Sequence, residues 1–109
     1  MTSFISVHIT TASAAEADKI AHVLVHEKLA ACVNIIPAVR SVYMWEGKLA
    51  DSNEVLLLVK TRAELFEPLR KIVKTLHSYE CPCIVATPIT GGYQPYLDWM
   101  EWETARPKG

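Results

Sequence analysis

The segment Ser41-Val-Tyr-Met-Trp-Glu-Gly-Lys48 constrains this chain more than any other. An alternating run enters a Glu46-Gly47 turn, where glycine supplies a positive φ, and a second polar–apolar run leaves it. Further on, Val55-Leu-Leu-Leu-Val59 stands between Glu54 and Lys60. The pattern predicts one long β-hairpin with Tyr43 and Trp45 near its tip and a returning strand buried on both faces. A chain of 109 residues has little else with which to cover such a hairpin, so several copies are expected to seal it together. Tyr43 and Trp45 read as anchors of that interface, where aromatic side chains concentrate.

That length reads as one domain over 1–109, near the commonest size and long enough for a core without covalent staples. Half of the residues are hydrophobic and 21% are charged. This is the upper edge for an ordinary domain, and the surplus belongs in a subunit interface. Eleven basic residues against twelve acidic ones give a net charge of −1. No basic cluster is present to hold a phosphate backbone, so nucleic acid is not an expected partner. No apolar stretch approaches the roughly 18 residues of a membrane span. The amino terminus lacks the charged and apolar regions of an export signal. The expectation is therefore no membrane partner and a cytoplasmic location. Three cysteines make no disulfide framework, and reduced thiols fit better.

Residues 4–11 alternate as a half-buried strand, with Ile5, Val7 and Ile9 on one face. Ser13-Ala-Ala-Glu16 matches a capping box for a helix running to about Lys28, with Ala17, Ile20, Ala21 and Leu24 as its buried stripe. Ala31–Ile36 and Val39–Trp45 are strands separated or bent at Pro37. Thr61-Arg-Ala-Glu64 is a second candidate capping box before Leu65, Leu69, Ile72 and Leu76 at helical spacing. Pro68 conflicts with a helix interior, so the regular helix starts near it or kinks there. Cys83–Thr87 is the last strand, ended by Pro88. Pro95 opens a final helix containing Trp99, Met100 and Trp102, closed by Pro107. The order βαββαβ plus a carboxy-terminal helix predicts an α+β, ferredoxin-like sandwich. Two helices cover one face of its antiparallel sheet, and the other face is left to the third helix or to other subunits.

Several segments resemble the CutA divalent-cation-tolerance proteins, namely Ala30–Pro37, Ser41–Lys48, Glu54–Thr61 and His77-Ser-Tyr-Glu-Cys-Pro82. Ile89, Gly91, Tyr96, Leu97 and Trp99 continue the match, which runs through nearly the whole chain in order. The resemblance implies a homotrimer in which the long hairpins interlock about a three-fold axis. It also implies tolerance of copper and other divalent cations, copper binding in some members, and no established enzymatic activity. This chain departs from the family pattern at three places. Ser78 replaces the proline of a His-Pro-Tyr motif, Thr10-Thr11 stands where some members carry a copper-ligating cysteine, and Leu76 stands where some carry a further histidine.

His77, with Tyr79 and Glu80, is the leading site candidate, because imidazole and carboxylate suit borderline divalent metals. A histidine at a helix end also caps carbonyls and interacts with the dipole, so a structural role competes. Cys81 and Cys83 offer two thiolates that would face the same way in a strand. Their spacing is not that of a zinc motif, and small, partly buried thiols at a strand entry are the alternative. The expected metal set is thus His77, Glu80, Cys81 and Cys83, with copper or another divalent cation as the ion and no organic cofactor. Cys32 reads as packing. His22 and His26, one turn apart after Asp18, read as a solvated face. Glu54 and Lys60 are either a polar pair in an inter-subunit cleft or strand ends reaching water, the second being favoured.

No phosphate-binding loop or nucleophile elbow is present. The function expected is a non-enzymatic homotrimer that binds a divalent metal. The alternative is a small-molecule sensor resembling the trimeric nitrogen-regulatory proteins, an analogy of fold alone. An enzyme using His77 and Glu80 as acid and base, or a scaffold binding only proteins, are further competitors.

Overall fold

The computed structural model describes residues 2–105. Four strands and three α-helices follow one another as β1 (Phe4–Thr11), α1 (Ala14–His26), β2 (Cys32–Trp45), β3 (Lys48–Arg62), α2 (Phe66–Leu76), β4 (Ile84–Ile89) and α3 (Gln94–Ala105). The sheet order is β2-β3-β1-β4 with every pair antiparallel, which is the ferredoxin-like α+β arrangement. The expected closure of α3 at Pro107 lies outside the described residues.

The period-2 pattern decides which face of the sheet is buried. Ile5, Val7 and Ile9 of β1 lie opposite Thr61, Val59 and Leu57 of β3, and all six are buried. Ile20 and Leu24 of α1, with Leu69 and Val73 of α2, close the core over them. Across the sheet, Leu56 and Leu58 are only half-buried. The apolar run Val55–Val59 is therefore buried on one face within this chain, not on both. α3 covers one end of the second face, where the Lys60 ammonium stands 5.7 Å over the Tyr96 ring. The Arg62 guanidinium holds α3 through the Thr104 hydroxyl at 2.8 Å and its carbonyl at 3.1 Å.

β2 runs unbroken through Pro37. Ile36 faces Leu56 and Val39 faces Glu54, so Pro37 and Ala38 together oppose Val55. This is a β-bulge, which absorbs a residue that cannot donate to the ladder. Beyond it, the hairpin from Val39 to Asn53 has no β1 neighbour, and it stretches the molecule to 44 × 30 × 22 Å. Glu46 and Gly47 both have positive φ, 49° and 80°. A two-residue loop of this kind matches the twist of the strands. A non-glycine residue there costs about 1 kcal/mol, less for asparagine. Glu46→Asn is expected to raise stability by about 0.5–1 kcal/mol, read from denaturant midpoints; a lowered midpoint would refute the turn assignment.

Local caps differ from expectation where long-range partners intervene. The Ser13 hydroxyl does accept from the Glu16 N–H at 3.2 Å, but the Glu16 carboxylate reaches away to accept from the Ser78 N–H at 3.1 Å. α1 ends at His26, and Lys28 takes a left-handed φ of 63°. Thr61-Arg-Ala-Glu64 is no capping box. Thr61 stays in β3 and donates to the Leu29 carbonyl at 2.7 Å, and Glu64 pairs with Arg62. A 3₁₀ turn over Ala63–Leu65 leads into α2. Pro68 is then its third residue, where an N–H would lack an intrahelical partner anyway. β4 continues through Pro88 to Ile89 because it is an edge strand, paired to β1 alone, where proline is tolerated.

Candidate metal- and ligand-binding groove

His77 follows the last residue of α2 and its N–H caps the Val73 carbonyl at 2.9 Å. Its ring is turned inward and its side chain is 0% exposed. Nε2 donates to the Thr10 carbonyl at 2.7 Å, while Nδ1 accepts from the Tyr79 N–H at 3.1 Å. Those two partners select the neutral tautomer protonated on Nε2. The buried Glu16 Oε1 lies 3.5 Å from Nδ1 and accepts no hydrogen bond among the described residues. His77 therefore ties the end of α2 to the end of β1, while the start of α1 reaches the same segment through Glu16 and the Ser78 N–H.

Tyr79 stacks obliquely on His77, with ring centroids 4.8 Å apart, and donates its hydroxyl to Glu54 Oε2 at 2.8 Å. Glu54 is buried beside the bulge and does not meet Lys60, which lies against Tyr96. Burial first, then the hydrogen bond to Glu54 and its charge, push the Tyr79 hydroxyl up to about 12. The raised value means the neutral phenol favours folding. Its contribution is whole below the free tyrosine value near ~10 and is lost as pH rises through about 12. Alkaline titration of tyrosinate absorbance is expected to show a late component that vanishes in Tyr79→Phe; an unchanged late component would remove Tyr79 from this network.

Residues 78–83 form a strap facing the hairpin stem, and between them runs an open groove of about 900 Å³. Tyr43 and Trp45 line its hairpin side, and Tyr79, Glu80, Cys81 and Cys83 its strap side, with Glu54 among the remaining lining residues. Both thiols are free and exposed. They precede β4, so no strand pleat holds them to one face. Cys83 Sγ approaches the His8 carbonyl at 4.0 Å. The structure thus gathers Glu80, Cys81 and Cys83 along one groove and sets His77 behind them. Among the described residues no three His, Cys, Asp or Glu side chains are grouped closely enough to hold an ion. His22 and His26 are exposed and border a separate apolar groove beside Ile35; His22 Nδ1 lies 2.7 Å from the Asp18 carbonyl. The sequence set Tyr79 beside His77 and Glu54 beside Lys60, and carried no signal that Tyr79 and Glu54 meet.

Among the described residues no helix is long and apolar enough to cross a membrane. The CutA1 divalent ion tolerance protein family matches residues 5–103. The divalent-cation tolerance protein CutA of Thermus thermophilus is 49% identical over 96 residues, covering 88% of this chain and 93% of that protein. The chloroplastic CutA of Arabidopsis thaliana is 47% identical over 100 residues, covering 92% of this chain, which spans 55% of that protein's length. The solved structure described as the periplasmic divalent cation tolerance protein CutA of Archaeoglobus fulgidus superimposes with a TM-score of 0.88 at 45% identity, covering 95% of this chain and 99% of that one. A family match across almost the whole described chain, with the same fold at this identity, leaves one conclusion: this chain belongs to the CutA1 divalent ion tolerance protein family.

Proposed function

We propose that this chain is a non-enzymatic, cytoplasmic homotrimer that takes up copper or another divalent cation at the groove. The observation that carries the metal reading is the placement of two free, exposed thiols and the Glu80 carboxylate along one strap. Thiolates favour soft ions and a carboxylate widens the choice. The three donors share the strap without forming a closed cluster among the described residues, so an ion would draw two of them together and keep open positions, which suits reversible uptake better than a closed structural site. His77 acts here by positioning the strap, since both ring nitrogens are engaged. The assembly reading is supported by the outer hairpin, where Val42, Met44 and Leu49 are 60%, 64% and 69% exposed. A two-stranded ribbon is marginal alone in water, and a patch of this kind marks an interaction surface.

Calorimetric titration with copper(I) and zinc under reducing conditions tests the metal site. The Cys81→Ser/Cys83→Ser chain is expected to bind at least tenfold more weakly than wild type. Equal affinity would remove the thiols from the site and end this reading. Native mass spectrometry tests the assembly: three copies are expected, and a single copy that persists at high concentration would refute the trimer.

A second reading, a small-molecule sensor, is favoured by one feature. The groove's volume of about 900 Å³ falls within the ~300–1,000 Å³ of ordinary ligand sites and far exceeds what an ion fills.

A further inference from the structure

The lining of the groove is chemically one-sided. It holds the carboxylates of Glu54 and Glu80 and the rings of Tyr43, Trp45 and Tyr79, while no lysine, arginine or histidine lines it among the described residues. Building on the small-molecule reading, we propose that the groove binds a small organic cation, an alkyl- or arylammonium ion whose charge is taken by Glu54, Glu80 and the aromatic faces.

Charge excludes the other classes. An anionic ligand would meet two carboxylates and no counter-charge. A neutral ligand of the same shape would strip water from Glu54 and Glu80 and return nothing to them, which costs free energy for a desolvated ion. An ammonium ion offsets both terms, and the negative faces of Tyr and Trp rings attract it further. Alkyl or aryl substituents also use the apolar walls, which a hydrated metal ion would leave wet.

The two carboxylates have different parts. Glu54 is buried and fixed by the Tyr79 hydroxyl at 2.8 Å, so it is a preorganised charge. Glu80 is exposed on the strap side of the groove and its carboxylate has no hydrogen-bond partner among the described residues, so it can turn to an incoming cation. The field at Tyr79 agrees with this arrangement. Besides burial, every group acting on its hydroxyl is acidic, namely Glu54, Tyr43 and Glu16, and no cation opposes them.

The test compares three ligands of closely similar shape: benzylammonium, benzyl alcohol and benzoate. Each is titrated into the intact chain in its native assembly and followed at the indole N–H resonances, with Trp45 assigned through Trp45→Phe. The cation is expected to bind at least tenfold more tightly than the alcohol, with benzoate weakest and the shift centred on Trp45. Glu80→Gln, an exposed change that should leave folding intact, is expected to weaken the cation at least threefold and leave the alcohol unchanged. The Cys81→Ser/Cys83→Ser chain is expected to keep the cation's affinity within twofold, which separates this site from thiol-bound metal. Equal binding of cation and alcohol at Trp45 would overturn the charge preference while leaving a ligand groove. Absence of any shift at Trp45 with all three would overturn the small-molecule reading as well. A tenfold loss in the double serine chain would move the cation preference to the thiols and overturn the role given to the carboxylates.

Discussion

Leu57→Ala is expected to lower the unfolding free energy by about 2–5 kcal/mol. Leu57 is fully buried on β3 and stands between Ile9 of β1 and Ile35 of β2. It belongs to the cluster that also includes Ile20 and Leu24 of α1 and Leu69 of α2. Truncation removes three carbons from the centre of two packed layers, and the flanking strands, held by their ladders, cannot collapse into the space. The loss should appear in denaturant midpoints at a fixed chain concentration, because oligomer stability depends on concentration. Leu58→Ala supplies the contrast. Leu58 is half-buried on the opposite face of the sheet, so its cost should be smaller and should grow with whatever covers that face. A Leu57→Ala chain within about 1 kcal/mol of wild type would overturn the placement of the core.

His77→Ala is expected to cost about 2–4 kcal/mol, from a cavity the size of an imidazole and from broken hydrogen bonds. Its removal leaves the Thr10 carbonyl and the Tyr79 N–H without their partners. It also removes the ring on which Tyr79 packs. Tyr79 carries the hydroxyl bonded to Glu54, so the strap should loosen as a unit. Amide hydrogen exchange is the direct readout: protection at Tyr79 should fall more than protection in the middle of α2. The same variant separates the two roles considered for this histidine. A positioning residue predicts lost stability with copper(I) affinity kept within about threefold, under conditions where the variant remains folded. A ligand predicts an affinity loss of tenfold or more, equal to that of the thiol variant, and that result would return His77 to the metal set.

Which residues touch across the strap could not be read along the chain. His77 meets Thr10, 67 positions earlier, and Tyr79 meets Glu54, 25 positions earlier. Cys81 and Cys83 look like a strand pair only while β4 is taken to begin at Cys83. The ladder with β1 starts at Ile84 opposite Ile9, which puts both thiols into the strap. Thr61 looks like a helix cap until the Leu29 carbonyl, 32 positions away, takes its hydroxyl.

What the amino-acid order determined alone is the set of elements and their inner faces. The alternation in β1, the stripe of α1 and the Glu46-Gly47 turn are local rules with a fixed period, and burial enforces them because a one-residue slip would turn the apolar set to water. Tertiary structure decided the rest: the bulge that lets β2 pass Pro37, the inward turn of His77, and the groove itself. Those features depend on polar groups finding partners across the fold, and a hydrogen bond is selected by distance in space, to which sequence separation gives no guide.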